Sequence, residues 1–204
     1  MKNKNQGTKF ESMTKDILDP LKTFQYLGEI LLSDGTLLIG KAPHIAPNAW
    51  LHCIYAALSN EDINSLENNF NLQVPGDFKS FLEISNGLGI FNTTFSLYGL
   101  RRNYKRNEDD VWQPFNIVTT NTFERPFNSK SEFFFIGGYD WDGSLLYINS
   151  KTNEVHLCER EDATSIYTWV NFECMLKSEI KRLMKLFDKS GKELNPSEST
   201  LPIK

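Results

Sequence analysis

Apolar residues recur at helical spacing through much of the first 87 positions, then bunch into short runs bounded by turn residues. Ile17, Leu18, Leu21, Phe24, Leu27, Ile30 and Leu31 predict helix across residues 13–32, with Pro20 interrupting or restarting it. The Asp34-Gly35 turn precedes a short strand at Leu37-Leu38-Ile39, and the two prolines within 42–48 mark a loop. Ser59 reads as a helix cap with Asp62 three residues on, followed by the stripe Ile63, Leu66 and Phe70. Pro75 opens a second helix whose apolar face is Phe78, Phe81 and Leu82, and Asn86-Gly87 supplies residues that accept positive φ and can stop it. The short link 71–74 makes the two helices neighbours.

Beyond Gly87 the period changes. Phe95-Ser96-Leu97-Tyr98 suits a strand, residues 101–114 and 121–132 read as polar loops, and Ile117-Val118 is apolar without an assigned element. Residues 133–139 carry three consecutive phenylalanines, as expected of a strand buried on both faces. Asp142-Gly143 predicts a type I′ hairpin turn into the strand 144–149. The meander continues through 154–158 to an edge strand at 166–170. Asn171 caps a final helix with Phe172, Leu176, Ile180, Leu183 and Phe187 on one face, Glu173 in its first turn and basic residues toward its end. Residues 1–9 are expected to be a disordered tail, 10–188 one α+β domain, and 189–204 a polar, fraying tail.

With 204 residues, 40% of them hydrophobic, the chain has enough core to fold without disulfide or metal. Cys53, Cys158 and Cys174 are odd in number and far apart, with no Cys-x-x-Cys spacing; they read as small buried hydrophobes in a reducing compartment. Residues 1–7 are basic but lead into no apolar segment, and the longest mostly apolar run, 50–58, is too short to span a bilayer. A cytoplasmic protein is expected. The net charge of −4 disfavours non-specific nucleic-acid binding and favours a basic partner.

Motifs that would carry catalysis are missing. Asp140-Trp141-Asp142-Gly143 offers two carboxylates, but a calcium loop begun at Asp140 places Lys151 where its glutamate should stand. The Asp-Gly pair explains itself as a turn. Trp141 either folds back onto the core or stands out as an exposed anchor. His44, His52 and Cys53 lack a ligand spacing, and no phosphate-binding glycine loop or nucleophile elbow occurs. The basic run 101–106 is followed at once by Glu108, Asp109 and Asp110, which cancel most of its field. No enzyme activity, cofactor or metal is expected.

One ordered set of residues resembles the SUKH superfamily: Leu58-Ser59-Asn60-Glu61-Asp62-Ile63 with Leu66, Pro75-Gly76-Asp77-Phe78, Phe81-Leu82, Ser85-Asn86-Gly87, Leu97-Tyr98-Gly99, Phe135-Ile136-Gly137-Gly138, residues 141–148, then Trp169 and Phe172. It covers roughly residues 50–188, leaving 10–49 as a possible branch-specific extension. The resemblance implies an α+β fold, a mixed or mainly antiparallel sheet with helices packed on it. It also implies one of two roles. The first is an immunity protein that binds a cognate secreted toxin, often a nuclease or nucleic-acid deaminase, with no membrane or direct nucleic-acid contact. The second is a regulatory or scaffold module that binds an endogenous protein. The family brings no shared catalytic residue. Partner contacts are expected at Glu108, Asp109 and Asp110, and at Asp140, Trp141 and Asp142.

Overall fold

The computed structural model describes residue 15, residues 17–104 and residues 111–202. Expectations for residues 1–9 and for Glu108, Asp109 and Asp110 lie outside the described residues. Among the described residues the chain forms nine strands and five helices. The strands are β1 (Glu29–Leu31), β2 (Leu37–Lys41), β3 (Trp50–Ile54), β4 (Leu88–Ile90), β5 (Phe95–Leu97), β6 (Phe133–Tyr139), β7 (Leu145–Asn149), β8 (Val155–Cys158) and β9 (Ser165–Trp169). The helices are α1 (17–22), α2 (Asn60–Phe70), α3 (Gly76–Leu82), α4 (Ile117–Thr122) and α5 (Phe172–Leu183).

All nine strands lie in one sheet in chain order, each antiparallel to its neighbour. The sheet is a single meander. Two excursions interrupt it: α2 and α3 between β3 and β4, and α4 between β5 and β6. Each returns the chain to the adjacent position, so the fold is α+β with a wholly antiparallel ladder.

The strand at 133–139 is buried throughout, as its composition requires. Phe134 faces a core built with α3 and α5, where Phe78 meets Phe172 edge-on with ring centroids 5.4 Å apart and Phe81 at 5.5 Å. Phe133 and Phe135 face the other way, onto Tyr147. A bulge between Phe135 and Gly137 lets both Ile136 and the residues after it keep their faces.

The capping box at Ser59 forms as read: Asp62 N–H donates to Ser59 Oγ at 3.1 Å, and Ser59 N–H donates to Asp62 Oδ2 at 3.1 Å. The helix pair is clamped by Lys79 Nζ on Glu67 Oε2 at 3.0 Å. Asn171 caps α5 through Cys174 N–H.

Other local expectations are corrected. The helical run 13–32 ends at residue 22; a 3-10 turn follows, and Ile30 and Leu31 belong to the exposed edge strand β1. Helix α3 ends at Leu82, where the N–H groups of Ile84 and Ser85 both donate to the Phe81 carbonyl at 2.8 Å, and Asn86 beyond it is used in a tertiary contact. Phe70 and Cys174 are exposed. The described part of the tail, residues 189–202, is tied back to α5: Arg182 donates to the carbonyls of Thr200 (2.7 Å) and Leu201 (3.3 Å).

Candidate protein-binding face

Two asparagines lock the segments that border this face. Strand β5 ends at Leu97 opposite Gly137, so the main chain of Phe133 and Phe135 has no strand beside it there. Helix α4 supplies the missing partner. Asn121 Nδ2 donates to the Phe135 carbonyl at 2.7 Å, and Phe135 N–H donates to Asn121 Oδ1 at 2.8 Å. Arg125 Nη2 donates to the Phe133 carbonyl at 3.1 Å. One side-chain amide thus stands in for a strand residue, as buried backbone polar groups demand.

Asn86 does the same for the chain leaving β5. Its Nδ2 donates to the Leu100 carbonyl at 2.9 Å, and Leu100 N–H donates to its Oδ1 at 2.6 Å. Gly99 lies so close that a Cβ there would collide with both Asn86 oxygens. The Ser-Asn-Gly and Tyr-Gly pieces therefore form one contact.

At the nearby sheet end, Tyr139 N–H donates to the Ser144 carbonyl at 2.9 Å, closing a loop over Asp140, Trp141, Asp142 and Gly143. Only Gly143 has positive φ (78°), so the turn is a longer loop and not the type I′ form expected. Asp142 Oδ1 accepts from Ser144 N–H at 2.8 Å, which occupies that carboxylate in shaping the turn. Asp140 N–H donates to the Thr94 carbonyl at 3.2 Å and joins this loop to the β4–β5 turn. That turn is left-handed at three successive residues, Phe91 (φ 48°), Asn92 (52°) and Thr93 (73°). Such backbone costs on the order of 1–2 kcal/mol per residue. It is held by Asn92 N–H on the Leu51 carbonyl (2.8 Å) and by Phe91 stacked on Phe187 at 3.8 Å.

Between these parts runs a groove of about 710 Å³. The sheet contributes Ser96, Gly138 and Leu145; the α4 side contributes Phe115, Glu124, Arg125 and Phe127; the loops contribute Thr93, Asp140, Gly143, Arg160 and Glu161; and Tyr98 completes it. Phe127 is displayed on fixed backbone. Its N–H donates to the Glu161 carbonyl and its carbonyl accepts from Ala163 N–H, both at 2.8 Å. Of the groove's aromatics Phe115 and Phe127 stand 54% and 75% exposed, and Phe123, next in the chain to the lining residue Glu124, is 80% exposed.

Of the residues expected to touch a partner, Asp140 lines the groove and Asp142 shapes its loop. Trp141 is 44% exposed, the outward-standing alternative. Residues 121–132, read as a polar loop, contain the end of α4 and its exposed aromatics. The available signal was Phe123 and Phe127 amid polar residues, flanking Arg125-Pro126.

The groove's electrostatics follow from its hydrogen bonds. Arg125 gives its donors to the carbonyls of Asn121, Lys130 and Phe133, and lies over the Phe135 ring at 5.4 Å. Burial lowers its pKa. Arg160 Nε sits 3.5 Å from Glu161 Oε1. Burial pushes the Tyr98 hydroxyl up to about 12, so it is a neutral donor. Arg102, in the basic run, pairs with Asp62 of α2 at 2.9 Å.

The remaining candidate groups are held away from chemistry. His52 is wholly buried between the Phe24 and Phe91 rings, with its pKa lowered to about 3 by desolvation, whereas His44 is exposed. Burial pushes the Cys53 and Cys158 thiols up to about 12. Among the described residues no group of three His, Cys, Asp or Glu is placed to hold a metal ion, and no helix is long and apolar enough to cross a membrane.

A nine-stranded antiparallel meander carrying a capped helix pair, with Ser85–Gly87 clasping Gly99-Leu100, defines an α+β protein of SUKH type. Residues 57–178, more than half of the sequence, match the SMI1 / KNR4 family (SUKH-1), and the chain belongs to that family. Strands β1–β3 precede the matched region. No curated protein matches the chain.

Proposed function

We propose that this protein acts by binding another protein, a cognate toxin whose activity it blocks in the cytoplasm of the producing cell, and that it performs no chemistry of its own. The observation that carries this reading is the exposure of Phe115 and Phe127 in one groove beside the Asp140–Gly143 loop, with Phe123 also exposed on the residue before the lining Glu124. Large exposed apolar groups gathered in one patch mark interaction surfaces, and aromatic anchors dominate interface energetics. The family match supports a binding role, and the net charge of −4 suits a basic target such as a nuclease.

The test is coexpression with a toxin domain encoded beside this gene. Restored growth and a stable complex are expected, with both lost in Phe123→Ala/Phe127→Ala. Full neutralisation by that variant would overturn the assignment of the face. Co-purification with an endogenous partner, in the absence of any toxin, would favour the regulatory reading that the family also accommodates.

A further inference from the structure

The charges in the groove are unequally engaged. Arg125 spends its donors on three carbonyls, while Arg160 stands exposed on the rim with Glu161 Oε1 3.5 Å from its Nε. Two carboxylates, Glu124 and Asp140, have no ion-pair or side-chain hydrogen-bond partner among the described residues, and both line the groove with the rings of Tyr98, Phe115 and Phe127. A groove built for phosphate or an acidic segment would hold its cations free and its acids engaged. Here Arg125 is committed to main-chain carbonyls while Glu124 and Asp140 are free.

Aromatic faces beside a free carboxylate are complementary to a guanidinium, which stacks on rings and takes a carboxylate through its fork of donors. The molecule uses the ring half of this arrangement internally, with Arg101 over Tyr104 at 5.0 Å and Arg125 over Phe135 at 5.4 Å. A volume of about 710 Å³ admits such a side chain with the backbone that carries it.

From this we infer that the groove receives an arginine side chain of the protein partner, stacked on the aromatic wall and neutralised by Glu124 and Asp140. This deepens the protein-binding reading and rests on it. It also gives the partner a chemical character: a loop projecting arginine from a basic surface.

The test is an NMR titration of the ¹⁵N-labelled full chain at low ionic strength with the peptide acetyl-Gly-Arg-Gly-amide. Its citrulline counterpart, of the same shape without charge, is the control. Saturable shifts confined to the amides of Tyr98, Gly138, Asp140 and Gly143 are expected, with none from the citrulline peptide. Glu124→Gln/Asp140→Asn should weaken binding roughly fivefold or more while leaving the rest of the spectrum unchanged. Shifts scattered over other acidic surfaces, equal response to citrulline, or an unaffected double variant would each overturn the inference.

The same double variant separates this inference from the reading beneath it. If it neutralises the toxin normally while the Phe123/Phe127 variant fails, arginine capture is wrong and the binding face stands. If no toxin binds but the arginine peptide still fills the groove, the toxin reading falls and the groove's chemistry stands.

Discussion

The Tyr139 hydroxyl donates to Glu179 Oε2 at 2.6 Å, joining the last residue of β6 to a buried carboxylate on α5. Arg182 donates to the same oxygen through Nη2 at 2.6 Å and Nε at 3.0 Å, then reaches the Thr200 carbonyl. Burial and then the neighbouring carboxylate hold the Tyr139 pKa well above its usual value, so it serves as a fixed donor. Glu179→Ala would leave the Tyr139 hydroxyl without its acceptor and Arg182 with only the Thr200 and Leu201 carbonyls, and should cost about 3 kcal/mol in urea unfolding, the lower end for breaking a buried pair. Tyr139→Phe, which keeps the ion pair, should cost only about 1–2 kcal/mol. Equal losses from the two variants would show that the carboxylate is not the hub.

Asn121→Ala removes both hydrogen bonds to Phe135 and leaves buried main-chain groups of β6 unpaired. A loss of about 2–3 kcal/mol is expected by denaturant titration. Asn121→Asp keeps an acceptor for Phe135 N–H but sets a carboxylate against the carbonyls of Ile117 and Phe135, which the Asn amide now satisfies. It should therefore be no better than alanine.

Gly99→Ala pushes a methyl group into main-chain and side-chain oxygens of Asn86, neither of which can yield without opening the clasp on Leu100. The expected cost is about 3 kcal/mol, the upper end for overpacking. Hydrogen exchange should show it first at Leu100, whose N–H loses Asn86 Oδ1. Unchanged protection there would contradict the clasp.

His52 gives the protein a specific acid sensitivity. Its ordinary pKa near 6.5 is lowered to about 3 by burial, so in this interval the unfolded chain binds a proton that the folded chain refuses. Stability is complete above pH 6.5 and falls as the pH drops toward 3, by about 3 kcal/mol at pH 4 from this group alone. His52→Leu should lose about 1 kcal/mol at pH 7, where the acceptor for Phe91 N–H disappears, yet flatten the decline between pH 6.5 and 4. Parallel stability curves for the two proteins would exclude His52 as the source.

Much of the frame is legible in the chain because it is set by neighbours a few residues apart. Ser59 and Asp62 announce α2, Asn171 announces α5, and three consecutive phenylalanines announce a strand covered on both faces. The misreadings have a common cause. Asn86-Gly87 has the chemistry of a helix stop but is spent on Leu100; Asp142-Gly143 has that of a tight turn, but the loop is lengthened and docked on Thr94. Helix α4 was not foreseen because Ile117 and Val118 form only one apolar turn, and its value lies in Asn121, a residue with weak helical preference. Asp140 and Asp142 were legible as turn residues, but whether Trp141 folded back onto the core or stood outward was not, and neither was the groove beside them.

What the sequence alone determined is helices α2, α3 and α5 with their apolar faces, the caps of α2 and α5, and the strands between residues 133 and 158, because hydrophobic period and capping act between residues one to four apart; β1, β3, β4 and α4 were not among them. The tertiary structure alone decided that Asn121 completes β6, that Glu179 anchors the end of the same strand, and that aromatics from residues 98–127 meet Asp140 across a groove. Asn121 and Phe135 are fourteen residues apart and Tyr139 and Glu179 forty, and their pairing is selected by the desolvation cost of unpaired polar groups once the chain has closed around them.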